Sequence, residues 1–200
     1  MNYTALKAAI AAYTHRSDLT SVIPDFCDRA RTRLGGELRS IANFTTGSVT
    51  SFVDGLSALP TNIAQLVAVT EDGIPKSFAS VAESGFNLGS GYYSIIGGDL
   101  YVPDAGSTTV VDLTYYAIPA ALVNGTDVSE GMNEFPGLWI YASCLEAALY
   151  LADDAAIQRY SDAYLATLQA ANTQGRDIRF GPAPAMRDMG RNVTAGGSGL

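Results

Sequence analysis

From Thr108 to Asp154 the spacing of apolar positions changes period. Val111, Leu113 and Tyr115 fall on one side of an extended chain, and Val110, Asp112 and Thr114 on the other. That is the two-residue period of a strand, in residues that are mostly β-branched or aromatic. Pro119, which cannot donate to a ladder, ends it. A polar loop follows from Asn124 to Glu134, and Pro136 then suits the first turn of a helix. That helix is apolar on two stripes: Leu138, Ala142, Leu145 and Leu149 on one, Ile140, Cys144, Ala147 and Leu151 on the other. Between Leu138 and Ala152 the only charge is Glu146. A helix with two apolar stripes has to be covered on two sides. The expectation is the chain itself on one side and a neighbouring subunit on the other.

Elsewhere the pattern is simpler. Tyr3, Leu6, Ile10 and Tyr13 share one face of a short helix, broken at His15-Arg16-Ser17-Asp18. A second helix starts near Pro24, with Phe26, Cys27, Ala30, Leu34, Leu38 and Ile41 inward and Arg29, Arg33 and Arg39 off that stripe. Gly35-Gly36 implies either a kink or the close approach of another backbone. Strands are expected over Ser48 to Val53 and Ile63 to Thr70, a turn at Glu71-Asp72-Gly73, and a short helix from Lys76 to Glu83. Tyr92 to Ile96, Gly97-Gly98 and Leu100 to Val102 predict a hairpin, because two glycines supply the positive φ of a tight turn. Asp153-Asp154 caps a last helix with Ile157, Tyr160, Tyr164 and Leu168 inward, and Gly175 is expected to stop it.

This order predicts an α+β fold. N-terminal helices (1–43) and C-terminal helices (123–175) form a bundle. A small antiparallel β-sheet lobe (44–122) is inserted between them, and residues 176–200 form an extended tail without periodicity.

Composition narrows the function. A chain that is 48% hydrophobic has enough apolar material for a core. Its net charge of -8 argues against binding nucleic acid by counterion release. No stretch reads as a signal peptide or a membrane span, so a soluble chain made in a cytosol is expected. Cys27 and Cys144 read as buried free thiols. The single histidine, His15, reads as a helix-end residue. No nucleophile elbow, phosphate-binding glycine loop or metal-ligand spacing accompanies it. The expectation is a protein that is not an enzyme and takes no cofactor or metal.

Glu146 is costly to bury unpaired, so an arginine partner is expected, Arg33 or Arg29. Together with Ile140, Cys144 and Leu151 these residues make the candidate subunit interface. Tyr92, Tyr93, Tyr101, Tyr115 and Tyr116 lie on adjacent predicted strands. They read as sheet packing, with a glycan-binding groove as the alternative.

An ordered set of stretches resembles the head-to-tail adaptor proteins of tailed bacteriophages. They are Tyr3 to Tyr13, HRSDLTSVIPDF from His15, the Arg-bearing helix through Leu38-Arg39, and SALPTNIAQLVAV from Ser57. YYSIIGGDLYVP from Tyr92, VDLTYYAIPAAL from Val111 and FPGLWIYASCLEAALYLADD from Phe135 complete the set. The resemblance implies a virion structural component at the head-tail junction, made in the host cytoplasm. It also implies a homo-oligomeric ring of about twelve copies, in which two different faces of the subunit meet. Such a ring docks on the portal protein, extends the channel through which DNA passes without specific binding, and offers a platform for the tail or nozzle protein. Carried onto this chain, the portal-binding segment is Arg176, Arg179, Phe180, Pro182, Pro184, Met186 and Arg187. The rival reading is a tail or fibre module that binds host glycan through the tyrosines.

Overall fold

The computed structural model of the chain describes residues 1–80 and 89–180, with side chains through residue 177. Among these residues are four α-helices and two four-stranded sheets, an α+β fold.

Helix α1 (Tyr3–Thr14) buries Tyr3, Leu6 and Ile10. The Asn2 side chain accepts from the Ala5 amide at its start, and His15, with φ 51°, ends it in the left-handed region. Helix α2 (Ile23–Glu37) opens on Pro24 and buries Ile23, Phe26, Cys27, Ala30 and Leu34. Helix α3 (Pro136–Leu151) is the apolar one, and α4 (Asp154–Phe180) follows after Ala152 turns left-handed at φ 51°. The Asp153 carboxylate accepts from the Ala156 amide, as a cap should. α3 packs against α1, α2 and α4. Their shared core includes Leu6, Ile10, Phe26, Leu34, Trp139 and Tyr164.

The inserted lobe has its own core of Val49, Phe52, Val69, Leu100, Val102, Val111 and Leu113. Its strands are β1 (Phe44–Val49), β2 (Leu56–Ala58), β3 (Ile63–Glu71), β4 (Ile74–Pro75), β5 (Ser77–Phe78), β6 (Tyr92–Ile96), β7 (Asp99–Tyr101) and β8 (Val111–Ala117). They form two sheets, in the orders β1-β8-β3-β4 and β2-β7-β6-β5. All pairings are antiparallel except β5 with β6. Gly97 and Gly98, at φ 63° and 101°, make the predicted hairpin turn between β6 and β7.

Several expectations need correction. The first strand runs Phe44–Val49 rather than Ser48 to Val53, in register with β8 from Phe44↔Tyr116 to Val49↔Val111. Residues Asp54 and Gly55, at φ 51° and 78°, instead form a tight turn bonded between Val53 and Leu56. The stretch from Lys76 begins as strand, not helix. The Ser77 and Ala79 amides donate to Gly91 and Tyr93, so pairing with β6 overrides a weak local helical pattern; its end at Glu83 lies outside the described residues. Ile41 leaves the α2 stripe for a 3-10 turn, Ile41–Asn43, and is exposed.

α2 passes through Gly35 and Gly36 unbroken. A Cβ on Gly35 would stand 2.9 Å from the Ile118 side chain, so the close approach there is by a side chain, not a backbone. Gly175 does not stop α4, which continues to Phe180, so residues 176–180 are helix rather than extended tail. At Gly175 the helix crosses the chain at residues 39–41. A Cβ there would stand 2.7 Å from both Arg39 O and Ser40 Cα. The glycine is needed for passage rather than termination.

That crossing is where the bundle is joined to the lobe. The Asn43 amide nitrogen donates to Leu38 O at the end of α2 (2.9 Å) and to Ala117 O at the end of β8 (3.2 Å). Its oxygen accepts from the Ser40 amide at 3.1 Å. Arg39 donates to Gly35 O, Gly36 O and Leu38 O, satisfying carbonyls that the end of α2 leaves free. Its Nε donates to Gln65 Oε1 of β3 at 2.6 Å, and its guanidinium lies over the Tyr116 ring of β8. Asn172 of α4 accepts from the Arg39 amide at 2.7 Å and donates to Glu37 O at 3.0 Å.

Candidate functional site

The one charge of α3 finds its arginine inside the chain. Arg33 Nη2 donates to Glu146 Oε1 at 2.5 Å and Nε to the same oxygen at 3.0 Å. Glu146 is buried, and its bond to the guanidinium holds Arg33 above the ordinary arginine range. One turn along α2, Glu37 Oε2 accepts from the Tyr164 hydroxyl of α4 at 2.8 Å. Burial, and then that carboxylate, push the Tyr164 phenol well above its usual value. The pairs tie α2 to α3 and α2 to α4. Arg29 is exposed on α2 and makes neither contact.

The second stripe of α3 is not held open for a neighbour. Cys144 and Ala147 are fully buried, Glu146 is 8% exposed, and Ile140 and Leu151 are half-buried against the core. Three helices of the same chain surround α3, so Cys144 has no surface to offer another subunit. The last turn of α3 is in solvent, with Leu149 47% and Tyr150 59% exposed. Other large apolar side chains in solvent include Tyr13, Leu165, Val53, Ile74, Phe78, Tyr92 and Ile95.

Of the candidate portal-binding residues, Arg176 is exposed and paired with Asp177 at 3.2 Å. Arg179 and Phe180 are in the last turn of α4. Pro182, Pro184, Met186 and Arg187 lie outside the described residues.

The five tyrosines form no common groove. Tyr92, Tyr93 and Tyr101 belong to one sheet and Tyr115 and Tyr116 to the other, and Tyr93, Tyr115 and Tyr116 are buried. Cys27 and Cys144 are free, buried thiols. Burial pushes them up to about 11 and about 12 respectively, so neither is a nucleophile near neutral pH. His15, the end residue of α1, lines a cleft with Tyr13, Tyr141 and Arg159. Among the described residues no group of side chains has metal-ligand geometry, and no helix is long and apolar enough to cross a membrane.

Two features were not visible beforehand. The sequence pattern places Arg39 only off a stripe, yet it joins four elements; its place just past the end of α2 is the available signal. Lys76 is nearly buried, pairs with Glu71 and donates to Ser90 O, so the Glu71-Asp72 turn is not simply solvated. A lysine in an otherwise acidic lobe was the clue.

The family model described as SU10 adaptor protein matches residues 1–188. No curated protein matches the chain.

Proposed function

The chain belongs to the SU10 adaptor protein family, and on that premise we propose that it forms a homo-oligomeric ring at the head-to-tail junction of a bacteriophage virion. The role is a structural one. The ring has about twelve copies, docks below the portal, extends the channel through which DNA passes, and gives the tail or nozzle protein its platform. The match over residues 1–188 is the observation that carries this reading.

Physical features support it. A closed ring brings two different faces of the subunit together. The protein has apolar side chains in solvent on the bundle, at Tyr13, Leu149 and Tyr150, and on the lobe, at Ile74 and Phe78. With Cys144 enclosed, Tyr150 and Arg29 are the better candidates for contact on the α2–α3 side. Residues 176–200 carry four arginines against two aspartates in a chain whose total is -8. A basic segment leaving an acidic body suits docking on the carboxylates of a portal, and the acidic body suits a wall past which DNA slides without sticking.

The test compares the full chain with a chain ending at Phe180, using light scattering for mass, electron microscopy for symmetry, and co-sedimentation with the portal of the same phage. The full chain is expected to form rings and bind portal. The shortened chain keeps every described contact and is expected to lose portal binding. A full chain that remains monomeric and ignores portal overturns the ring. A shortened chain that binds portal equally well overturns the assignment of Pro182, Pro184, Met186 and Arg187.

A further inference from the structure

Between the end of α1, the first half of α3 and the start of α4 lies a cleft of about 580 Å³. Three tyrosines form its apolar surface. Tyr13 and Tyr141 meet edge to face with ring centroids 6.1 Å apart, and the Tyr160 hydroxyl donates to Tyr13 O at 2.8 Å. Arg159 lies over the Tyr160 ring, 4.7 Å from its centroid. Arg16, Arg31, Arg33, Lys76 and Arg176 each have a carboxylate; Lys7, Arg29, Arg39 and Arg159 have no ion-pair partner among the described residues, and of these Arg159 lines the cleft. An unpaired guanidinium on an aromatic floor, with apolar walls beside it, selects a carboxylate next to an apolar side chain.

The lobe carries that combination. Residues 44–122 hold seven carboxylates and one lysine, and Lys76 is already committed to Glu71. At the β3–β4 tip, Asp72 and Gly73 have φ 50° and 77°, and the adjoining Ile74 is 66% exposed. A similar Asp-Gly turn at Asp54-Gly55 is folded back on the sheet, where Gly55 meets Val102 O; nothing lies within 4 Å of a Cβ on Gly73. The β3–β4 tip therefore stands free. It also reaches outward: Glu71 is about 20 Å along β3 from Gln65, the residue bonded to Arg39. Arg159 is about 24 Å along α4 from Gly175, which touches the same turn. Among the described residues no hydrogen bond or ion pair joins tip and cleft, and both Ile74 and Tyr13 are left in solvent.

We propose that the Asp72-Gly73-Ile74 tip of one copy seats in the Tyr13–Tyr141–Arg159 cleft of the next. The Asp72 carboxylate pairs with Arg159, and Ile74 packs on the exposed face of Tyr13. This is a contact between unlike faces, the kind that closes into a ring, and it rests on the ring reading given above. It places the joint between copies at the end of α1 rather than on the enclosed stripe of α3.

Charge reversal tests it on the full-length protein, with mass followed by light scattering over a concentration series, with and without portal. Arg159→Glu and Asp72→Lys are each expected to raise the concentration needed for assembly by at least about tenfold. The double variant is expected to recover most of the loss. Ile74→Ser should weaken assembly without any change of charge. Melting curves establish that each variant is folded. Should Asp72→Lys disturb the turn, Asp72→Asn keeps a residue suited to positive φ and should show the same loss. An Arg159→Glu protein that assembles like wild type overturns the docking but leaves the ring standing. A double variant no better than the singles also overturns it. A wild-type protein that never assembles, alone or with portal, overturns the ring itself.

Discussion

Two nitrogens of Arg33 converge on a single oxygen of Glu146, Nε at 3.0 Å and Nη2 at 2.5 Å. The side chain of Arg33 is 32% exposed and that of Glu146 10%, so the carboxylate is the desolvated member. Removing the arginine is then worse than neutralising the acid. Arg33→Ala strands a buried carboxylate and should cost about 2 kcal/mol, discounted for the solvent that reaches the guanidinium. Arg33→Lys should recover only part of this, because an ammonium cannot bring two fixed donors to one oxygen. Glu146→Gln keeps an acceptor and should cost less than Arg33→Ala. Urea unfolding of the three variants gives the order, and equal midpoints for Arg33→Ala and wild type would refute it.

Gly175 and Gly36 separate two roles of glycine in a helix. Gly175→Ala drives a methyl into the backbone at Arg39 and Ser40, which has no rotamer to change, and should destabilise by about 2 kcal/mol. Gly36→Ala meets nothing within 4 Å and should stabilise by about 0.5–1 kcal/mol through helix propensity. Thermal melts of both should move in opposite directions.

The two thiols give the fold an alkaline limit. Each is neutral in the core, with its pKa raised by burial from 9.0 to about 11 at Cys27 and about 12 at Cys144. A folded-state pKa above the unfolded one means the native state holds the proton more tightly. This contribution is complete below pH 9 and is lost as pH rises through about 11 for Cys27 and about 12 for Cys144. It is on the order of 3 kcal/mol at Cys27 and about 4 kcal/mol at Cys144. Melting temperature between pH 8.5 and 11 should fall less steeply for Cys27→Ala and Cys144→Ala than for wild type, even though each variant starts lower because of the cavity it leaves.

Arg39 is the residue whose loss should reach farthest. Arg39→Ala leaves the Gly35, Gly36 and Leu38 carbonyls without its donors, frees Gln65, and uncovers Tyr116. A loss of about 2 kcal/mol is expected, with Arg39→Lys recovering less than half. Hydrogen exchange should quicken at the ends of α2 and of β8 together. Faster exchange at α2 alone would mean that Arg39 only caps the helix.

The helices were legible because each keeps one long apolar period, and three of them start on a recognisable residue, Pro24, Pro136 or Asp153. The β6–β7 hairpin and the Asp72-Gly73 turn were legible for the same local reason: residues at positive φ announce themselves. Errors arose where distant partners decide. Phe44 to Val49 is a strand because β8 pairs with it, and Ser77–Phe78 because β6 does. Gly175 reads as a stop because a glycine at a helix end and a glycine beneath a crossing chain are written identically. The pairing of Glu146 with an arginine followed from the cost of burial alone. The covering of α3 did not follow, because two apolar stripes state how many neighbours a helix needs and not which chain supplies them.

At Gly175 main chain rests on main chain, with no side chain between them that could rotate away. A push arriving along α4 meets hard contact at residues 39–41 and passes to the start of β1 with little give. Bundle and lobe should therefore shift as one stiff piece rather than flex about the joint, a useful property in a part set in line between two larger bodies.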